Sequence, residues 1–309
     1  MHHPYKTREG GCTVTVFVPY DCNNNCPFCI NKGEYADTTG FSLDKICESI
    51  KLMDEITPKC DFVFTGGEPF ADLESLQRML DLIPNTHNIY INTTLPVSEN
   101  QPEEEILRFA EKNKNKIDCI NVSRHVQRYV VESNDDLLAR LPIPFRINCV
   151  LYEDYPFDEL IPFIERFRKI PGSNIQFRFD YTATTPENLY DKENDRIIRD
   201  LNKIARYTGM DGCRMRCGFH YDYKGMEIVY HKTLPYSAII EEDPTDGITY
   251  CILYDIIIKQ NGDIHADWGH DVLDELELDI EAYRNVKFEP YDMKWYERVE
   301  IELCAASGR

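Results

Sequence analysis

Three cysteines within one short segment are the residues of this sequence with the clearest chemistry. Cys22, Cys26 and Cys29 lie in the stretch CNNNCPFC, directly after a β-branched run at 13–18. Thiolates are soft ligands that suit zinc or iron–sulfur clusters. A closed structural zinc site uses four protein ligands, and the nearest further candidates in the sequence are His2, His3 and Cys47. Three thiolates on a four-iron cluster would leave one iron open to a substrate or cofactor.

A pair of glycines provides a second candidate binding segment. The apolar strand predicted at 62–65 is followed by Gly66, Gly67, Glu68 and Pro69. Two glycines let a backbone approach a ligand closely, and free backbone carbonyls can accept hydrogen bonds from an ammonium group. Both this segment and the cysteines follow predicted strands, and loops at strand carboxyl ends form the active face of α/β sheets.

The C-x3-C-x2-C spacing, the aromatic residue before the third cysteine and the GGEP segment together resemble the radical S-adenosylmethionine (radical SAM) enzymes. The resemblance covers residues 12–182 in local motifs and in the order of strands and helices. It implies that Cys22, Cys26 and Cys29 bind a [4Fe–4S] cluster whose open iron is chelated by SAM. It also implies cleavage of SAM to a 5′-deoxyadenosyl radical, which abstracts hydrogen from a substrate.

The same resemblance implies roles for the residues around the two motifs. Phe28 would lie against the adenine of SAM, and Thr65, Gly66, Gly67 and Glu68 would bracket its amino group. The competing hypothesis is a non-enzymatic iron–sulfur or zinc-binding protein with an electron-transfer or structural role. Such a protein keeps the cysteines but has no need of the GGEP segment.

The elements that must position these residues alternate between strand and helix over the first two thirds of the chain. Six β-then-α units require a parallel sheet with right-handed crossovers, which is an α/β fold. Six units are fewer than a full eight-fold barrel needs, so the pattern leaves a partial barrel or a doubly wound sheet. The resemblance implies the first of these, a partial (β/α)6 TIM-like barrel. We assign residues 1–209 to this domain, with Pro162 in the first turn of a helix and Gly209 ending the last one. Residues 210–309 are predicted to form a small α+β extension, with a strand at 252–259 and a hairpin turn at Asn261-Gly262.

Polar residues recur at every second position of three successive strands, so each set shares one face of the sheet. They are Asn121 and Ser123; Arg146 and Asn148; and Gln176, Arg178 and Asp180. Buried polar groups are costly without partners, and a ligand would satisfy them. The resemblance suggests Ser123 and Asn148 for the ribose of SAM and Arg178 for a carboxylate. An internal network of arginine and aspartate is the alternative, and His125 is interpreted as structural or as a substrate contact.

A second group of cysteines lies in the C-terminal extension. Cys213, Cys217 and Cys251 resemble the ligands of an auxiliary [4Fe–4S] cluster in the twitch or SPASM extensions of radical SAM enzymes. In some relatives a further cysteine follows the hairpin turn, where this chain has Asp267. Reduced structural thiols or a zinc site remain the alternative. The remaining cysteines are predicted to be small buried hydrophobic residues.

Composition narrows the classes of partner. Asp and Glu total 54 against 34 Lys and Arg, for a formal charge of -20, which argues against nucleic acid as the main partner. No apolar run has the length of a membrane span, and the beginning of the sequence lacks the apolar core of a signal peptide. We therefore expect a cytoplasmic enzyme with a small-molecule or short-peptide substrate and a reductase or flavodoxin as electron donor.

Overall fold

The structure is a computed structural model of the chain. It describes residues 3–7, 12–29, 31, 39–57, 59–152, 154–180, 183, 194–210, 218–232, 238–243, 245–266 and 278–288. No helix within these ranges is both long enough and apolar enough to cross a membrane.

The strands form one large sheet and one small sheet. They are β1 (Tyr5–Thr7), β2 (Cys12–Phe17), β3 (Cys60–Thr65), β4 (Asn88–Thr93), β5 (Cys119–Ser123), β6 (Phe145–Leu151), β7 (Ile175–Phe179), β8 (Arg206–Met210), β9 (Gly218–Tyr223), β10 (Met226–His231), β11 (Ala238–Glu242), β12 (Thr249–Leu253), β13 (Asp255–Ile258), β14 (Ile264–His265) and β15 (Lys287–Phe288). The 11-stranded sheet has the order β14-β13-β2-β3-β4-β5-β6-β7-β10-β9-β8, and the 4-stranded sheet has the order β11-β12-β1-β15.

The centre of the large sheet is parallel. Seven successive pairings, from β13–β2 to β7–β10, are all parallel and so join eight strands whose carboxyl ends lie along one edge. Antiparallel strands continue the sheet beyond both ends of this parallel region. The α/β class predicted from the sequence is therefore confirmed, whereas closure into a partial barrel stays a prediction.

Helices alternate with the parallel strands and cover their apolar face. They are α1 (Leu43–Ile56), α2 (Leu73–Leu80), α3 (Glu103–Asn113), α4 (Asp135–Arg140), α5 (Phe157–Arg168), α6 (Arg196–Ile204) and the short α7 (Ile280–Tyr283). In α1 the buried positions Ile46, Ile50 and Met53 repeat at helical spacing, and the side chain of Ser42 caps the first turn by accepting from the amide of Lys45. These helices pack on every second residue of the strands in one hydrophobic core.

Three predictions about local structure are wrong. Pro162 lies inside α5 and not in its first turn, because Pro156 occupies the N-cap and the helix begins at Phe157. Gly209 does not end a helix: α6 ends at Ile204, and Gly209 belongs to β8 next to a shift in strand register. The predicted strand 252–259 is two strands in different sheets, separated at Tyr254.

The segment after residue 209 extends the large sheet at both of its edges. Strand β10 pairs with β7 on one side, and β13 pairs with β2 on the other. The hairpin predicted at Asn261-Gly262 is confirmed, since it joins β13 to β14 and Gly262 has a φ of 90°. The sheet therefore runs across the boundary drawn at residue 209, and the two-domain division stays a prediction.

Candidate active site at the carboxyl ends of the parallel strands

The cysteine loop, residues 22–29, follows β2 at the carboxyl edge of the sheet. Its three thiols are half-buried, and the amide of Cys29 donates to the carbonyl of Cys26 at 3.2 Å. The Sγ of Cys22 accepts from the backbone amide and side-chain amide of Asn24 at 3.4 and 3.5 Å. Burial raises the pKa of the Cys22 thiol, and the hydrogen bonds from Asn24 oppose that shift.

The thiols of the cysteine loop suit an iron–sulfur cluster as ligands, but they do not form a metal-ion site in the arrangement seen here. Among the described residues, no three His, Cys, Asp or Glu side chains are grouped closely enough to hold a metal ion. The three thiols nevertheless share one short loop, and soft thiolates are the ligands that such clusters use. Their side chains would have to turn towards a common point to bind the cluster.

Gly67 allows the segment Gly66–Pro69, hereafter the GGEP loop, to pack directly on the chain that leads into the cysteine loop. A Cβ atom on Gly67 would lie 2.0 Å from the carbonyl oxygen of Tyr20 and 2.9 Å from backbone atoms of Asp21. Only glycine fits so close an approach of two backbones. Gly66 has a φ of 104°, which is left-handed backbone that also favours glycine.

Hydrogen bonds tie the GGEP loop to the residues on both sides of the cysteine loop. The side-chain amide of Asn31 donates to the carbonyl of Gly66 at 3.1 Å. The hydroxyl of Tyr20 donates to the carbonyl of Pro69 at 3.0 Å. Together with the glycine contact, these bonds make the two sequence motifs one structural unit.

The carboxylate of Glu68 is buried and fully engaged within the protein. It accepts from the amide of Phe70 at 3.0 Å, from the hydroxyl of Thr93, and from the amide and hydroxyl of Thr94 at 2.8 and 2.7 Å. Burial raises the pKa of this carboxyl, and the hydrogen bonds from Thr93 and Thr94 oppose the shift. The side chain therefore joins the GGEP loop to the end of β4, and its backbone is what remains for a ligand.

Phe28 lies in an aromatic cluster drawn from three strand ends. Its ring centroid is 4.9 Å from that of His125, 5.5 Å from that of Tyr129 and 5.7 Å from that of Tyr152. The Nδ1 atom of His125 accepts from the amide of Val150 at 3.2 Å. Burial lowers the pKa of His125 to about 4, so the imidazole is neutral at pH 7. This cluster could not be predicted from sequence spacing, because its members come from separate loops.

The polar strand residues lie on the face of the sheet opposite the helices. In β6 the exposed fraction alternates, with Phe145, Ile147 and Cys149 buried in the core and Arg146 and Asn148 half-buried between them. The Oδ1 atom of Asn148 is buried and has no hydrogen-bond partner among the described residues. An orphaned acceptor of this kind fits a hydroxyl donor from a ligand.

The other two polar candidates are placed differently. Ser123 pairs in register with Asn148 on the neighbouring strand, so the two ribose candidates are adjacent. Arg178 donates to the side-chain oxygen of Gln176 at 3.4 Å on its own strand, and it pairs in register with His231 of β10. The assignments of Ser123, Asn148 and Arg178 to SAM remain predictions.

Arg124 is a positioning residue that the sequence did not reveal. It is completely buried, and its guanidinium donates to the carbonyls of Thr94 and Ser123 at 2.9 and 2.8 Å and to the hydroxyl of Ser133 at 2.7 Å. Burial lowers its pKa to about 10. The side chain thereby fixes the loop that carries His125 against the end of β4.

The auxiliary cluster remains a prediction. Cys213 and Cys217 lie outside the described residues. Cys251 is buried in β12 of the small sheet, where it pairs in register with Tyr5 and Ile240. Of the remaining cysteines, Cys12, Cys47, Cys60 and Cys149 are buried as expected, Cys119 is half-buried, and Cys304 lies outside the described residues.

Comparison with known proteins places a cluster domain over both motifs. Residues 9–128 match the model of the 4Fe-4S single cluster domain family. That range contains the cysteine loop, the GGEP loop and His125. A search of curated proteins found no match to the chain.

Solved structures share the fold. SuiB of Streptococcus suis is 13% identical over 88% of this chain and 65% of its own, with a TM-score of 0.52. SuiB bound to the precursor peptide SuiA is also 13% identical, over 93% of this chain and 66% of its own, with a TM-score of 0.53. A structure of anSMEcpe with bound AdoMet and the Cp18Cys peptide is 18% identical over 62% of this chain and 57% of its own, but its TM-score of 0.41 supports no conclusion.

The comparisons agree on a cluster domain and on the fold. The chain spans less than two thirds of the length of the SuiB and anSMEcpe chains named first, so the comparison with SuiB establishes the architecture and not the activity. The cluster domain at residues 9–128 coincides with the C-x3-C-x2-C and GGEP motifs, which the structure joins at one edge of the sheet. Residues 9–128 are therefore similar to the 4Fe-4S single cluster domain family, and the chain shares its fold with SuiB.

Proposed function

We propose that this protein is an enzyme that binds a [4Fe–4S] cluster and SAM at the carboxyl ends of its parallel strands. The observation that carries the proposal is the union of the cysteine loop and the GGEP loop through the Gly67 contact and the Asn31 hydrogen bond. Cys22, Cys26 and Cys29 would hold the cluster. A structural or electron-transfer protein has no need for this second loop.

The residues available to SAM have distinct tasks. Backbone groups of the GGEP loop would bind the amino group, since the Glu68 carboxylate is already engaged. The ring of Phe28, held by its aromatic neighbours, would lie against the adenine. The orphaned Oδ1 of Asn148 would accept from a ribose hydroxyl, with Ser123 beside it and Arg178 further along the sheet. These side chains bind and orient SAM and exclude water.

The bound cofactors supply the reactive chemistry. Held by Cys22, Cys26 and Cys29, the cluster would supply the electron for reductive cleavage of SAM, and SAM would supply the group that abstracts hydrogen from the substrate. The substrate is a small molecule or a short peptide. SuiB, which shares the fold, has a structure with the precursor peptide SuiA bound. This supports a peptide as one of the two proposed substrate classes. A reductase or flavodoxin would supply the electron, and we place the enzyme in the cytoplasm.

Cluster loading and SAM binding test the proposal together. Protein reconstituted anaerobically is expected to hold about four iron and four sulfide for each cluster and to retain SAM in equilibrium dialysis. The variant Cys26→Ala should lose cluster iron and SAM, and the matched control Cys119→Ala, a half-buried cysteine of β5, should lose neither. Full cluster loading without SAM binding would favour the electron-transfer alternative. Equal loading of both variants would contradict the ligand assignment.

The auxiliary cluster is a separate proposal for Cys213, Cys217 and Cys251. If it exists, removal of Cys22, Cys26 and Cys29 together should leave about four iron in the protein. Complete loss of iron from that variant would contradict it.

A further inference from the structure

Three side chains on neighbouring strands form a row that is hereafter the donor rung: Asn92, Asn121 and Arg146. Asn92 pairs in register with Asn121, and Asn121 pairs with Arg146, on β4, β5 and β6. The rung lies on the face opposite the helices, because its residues alternate with core positions such as Ile91 and Ile120. Along the sheet it continues towards Thr65, since Phe64 pairs with Ile91 one position earlier.

The hydrogen bonds of the rung all run in one direction. The Nε of Arg146 donates to the Oδ1 of Asn121 at 3.0 Å, and the Nδ2 of Asn121 donates to the Oδ1 of Asn92 at 2.8 Å. The thiol of Cys119 also lies 3.9 Å from the Oδ1 of Asn121. Both amide oxygens are therefore used within the rung. The groups that remain are donors: the Nδ2 of Asn92 and the two terminal nitrogens of Arg146.

Arg146 lacks a carboxylate partner among the residues that the structure describes. Within the described ranges, no Asp or Glu oxygen lies within 4 Å of its guanidinium, although acids outnumber bases in the chain by 54 to 34. Arg166 of α5, by contrast, bonds to both Glu132 and Asp135 at 2.7 Å. An arginine held by its Nε presents its two terminal nitrogens as a planar pair, which matches the two oxygens of a carboxylate.

We propose that the donor rung binds a carboxylate of the substrate, with Arg146 as the specificity-determining residue. This inference rests on the proposed function and deepens it: the substrate is an organic acid or a peptide that offers a terminal or side-chain carboxylate. In the cysteine loop, Cys26 contacts the carbonyl of Tyr129 and Asn24 accepts from the amide of Val131, both in the segment that follows β5, whereas the rung lies within β4, β5 and β6. A SAM carboxylate held beside the cysteine loop therefore leaves the rung available.

The test measures binding of a defined probe to the cluster-loaded protein by ligand-observed NMR titration. The probe is N-acetylglycylglycine with a free carboxylate, compared with its C-terminal amide and with inorganic phosphate. Wild type should bind the carboxylate at least tenfold more tightly than the amide or phosphate. Arg146→Gln should weaken that binding at least tenfold, whereas Arg168→Gln, which removes a surface arginine paired with Glu165, should change it less than twofold.

A second variant keeps the test valid if Arg146→Gln folds poorly. Asn121→Asp is nearly isosteric and places a carboxylate 3.0 Å from the Nε of Arg146, so it should neutralise the rung and abolish probe binding without removing the arginine. A purely structural rung would show changed unfolding temperatures in these variants with unchanged discrimination between carboxylate and amide, and that result would overturn the inference. Absence of wild-type binding at roughly 10 mM probe, which corresponds to less than about 3 kcal/mol of affinity, would also overturn it.

Probe binding measured at saturating SAM distinguishes failure of this inference from failure of the proposed function. We expect SAM to change probe affinity less than twofold and Arg146→Gln to leave SAM binding intact. Displacement of the probe by SAM would assign the rung to SAM itself and overturn the inference. Failure of the proposed function would appear instead as loss of SAM binding with probe discrimination retained.

Discussion

Replacing Gly67 with alanine is expected to separate the two halves of the site. A Cβ at this position would lie 2.0 Å from the carbonyl oxygen of Tyr20, and side-chain carbons do not approach closer than 3.0 Å. One of the two backbones must therefore move by at least 3.0 − 2.0 = 1.0 Å. Tyr20 and Asp21 lead directly into Cys22, so the displacement reaches the first cluster ligand.

This displacement of about 1 Å should lower both the stability of the fold and the rate of SAM cleavage. Forcing an extra carbon into a packed contact costs about 1–3 kcal/mol of stability. A misplacement of about 1 Å in a positioned site can lower the rate about 100-fold. We therefore expect the Gly67→Ala variant to unfold at lower urea concentration and to form 5′-deoxyadenosine about 100-fold more slowly than wild type.

Gly172→Ala is the matched control. Gly172 has a φ of 76°, and nothing lies within 4 Å of the position its Cβ would take. Alanine there costs about 1–2 kcal/mol from left-handed backbone alone, with no clash at the site. The control should lose similar stability and keep its rate of SAM cleavage. Equal cleavage rates in Gly67→Ala and wild type would refute the argument that this contact positions the cysteine loop.

Three other substitutions probe different parts of the structure. The pKa of His125 is lowered from 6.5 to about 4, so on acidification the unfolded chain takes up a proton before the folded chain does, and the free energy of unfolding should fall by roughly 3 kcal/mol between pH 6.5 and pH 4. In urea unfolding, the stability of His125→Asn should depend less on pH over that window. The same pH dependence in the variant and the wild type would contradict this prediction. Asp195 bonds to the buried ammonium of Lys232 at 2.7 Å, so Asp195→Asn should lower the free energy of unfolding by about 3–5 kcal/mol. The control Asp154→Asn, at an exposed ion pair, should lower it by less than about 1 kcal/mol. Equal losses of stability in the two variants would argue against a buried pair. Asn148→Ala removes a buried acceptor that lacks a partner and should weaken SAM binding about tenfold in equilibrium dialysis with little loss of stability; unchanged SAM affinity would remove this residue from the site.

Local signals were sufficient for the elements of the central sheet. The helical spacing of Ile46, Ile50 and Met53 and the cap at Ser42 depend on neighbours in the sequence, and the structure confirms both. The same reasoning misplaced Gly209 and joined β12 to β13, because an apolar run does not show which sheet each part will join. Pairings between residues such as Ile257 and Thr15 are set by tertiary packing.

The parts of the candidate site that consist of short sequence motifs were predictable from residue type and spacing. The cysteines and the GGEP segment are short motifs, so their residue types are visible in the sequence. The engagement of Glu68 by Thr93 and Thr94, the burial of Arg124 and the aromatic neighbours of Phe28 were not visible. Each of these depends on loops that only the parallel sheet brings together.

The formation of 5′-deoxyadenosine tests the central claim most directly. Anaerobically reconstituted wild type, given SAM and a strong reductant, should release 5′-deoxyadenosine and methionine in equal amounts. The variant that carries Cys22→Ala, Cys26→Ala and Cys29→Ala should release none above the level without protein, while Cys119→Ala keeps the wild-type rate. Cleavage of SAM by the triple variant at the wild-type rate would contradict the assignment of these three cysteines.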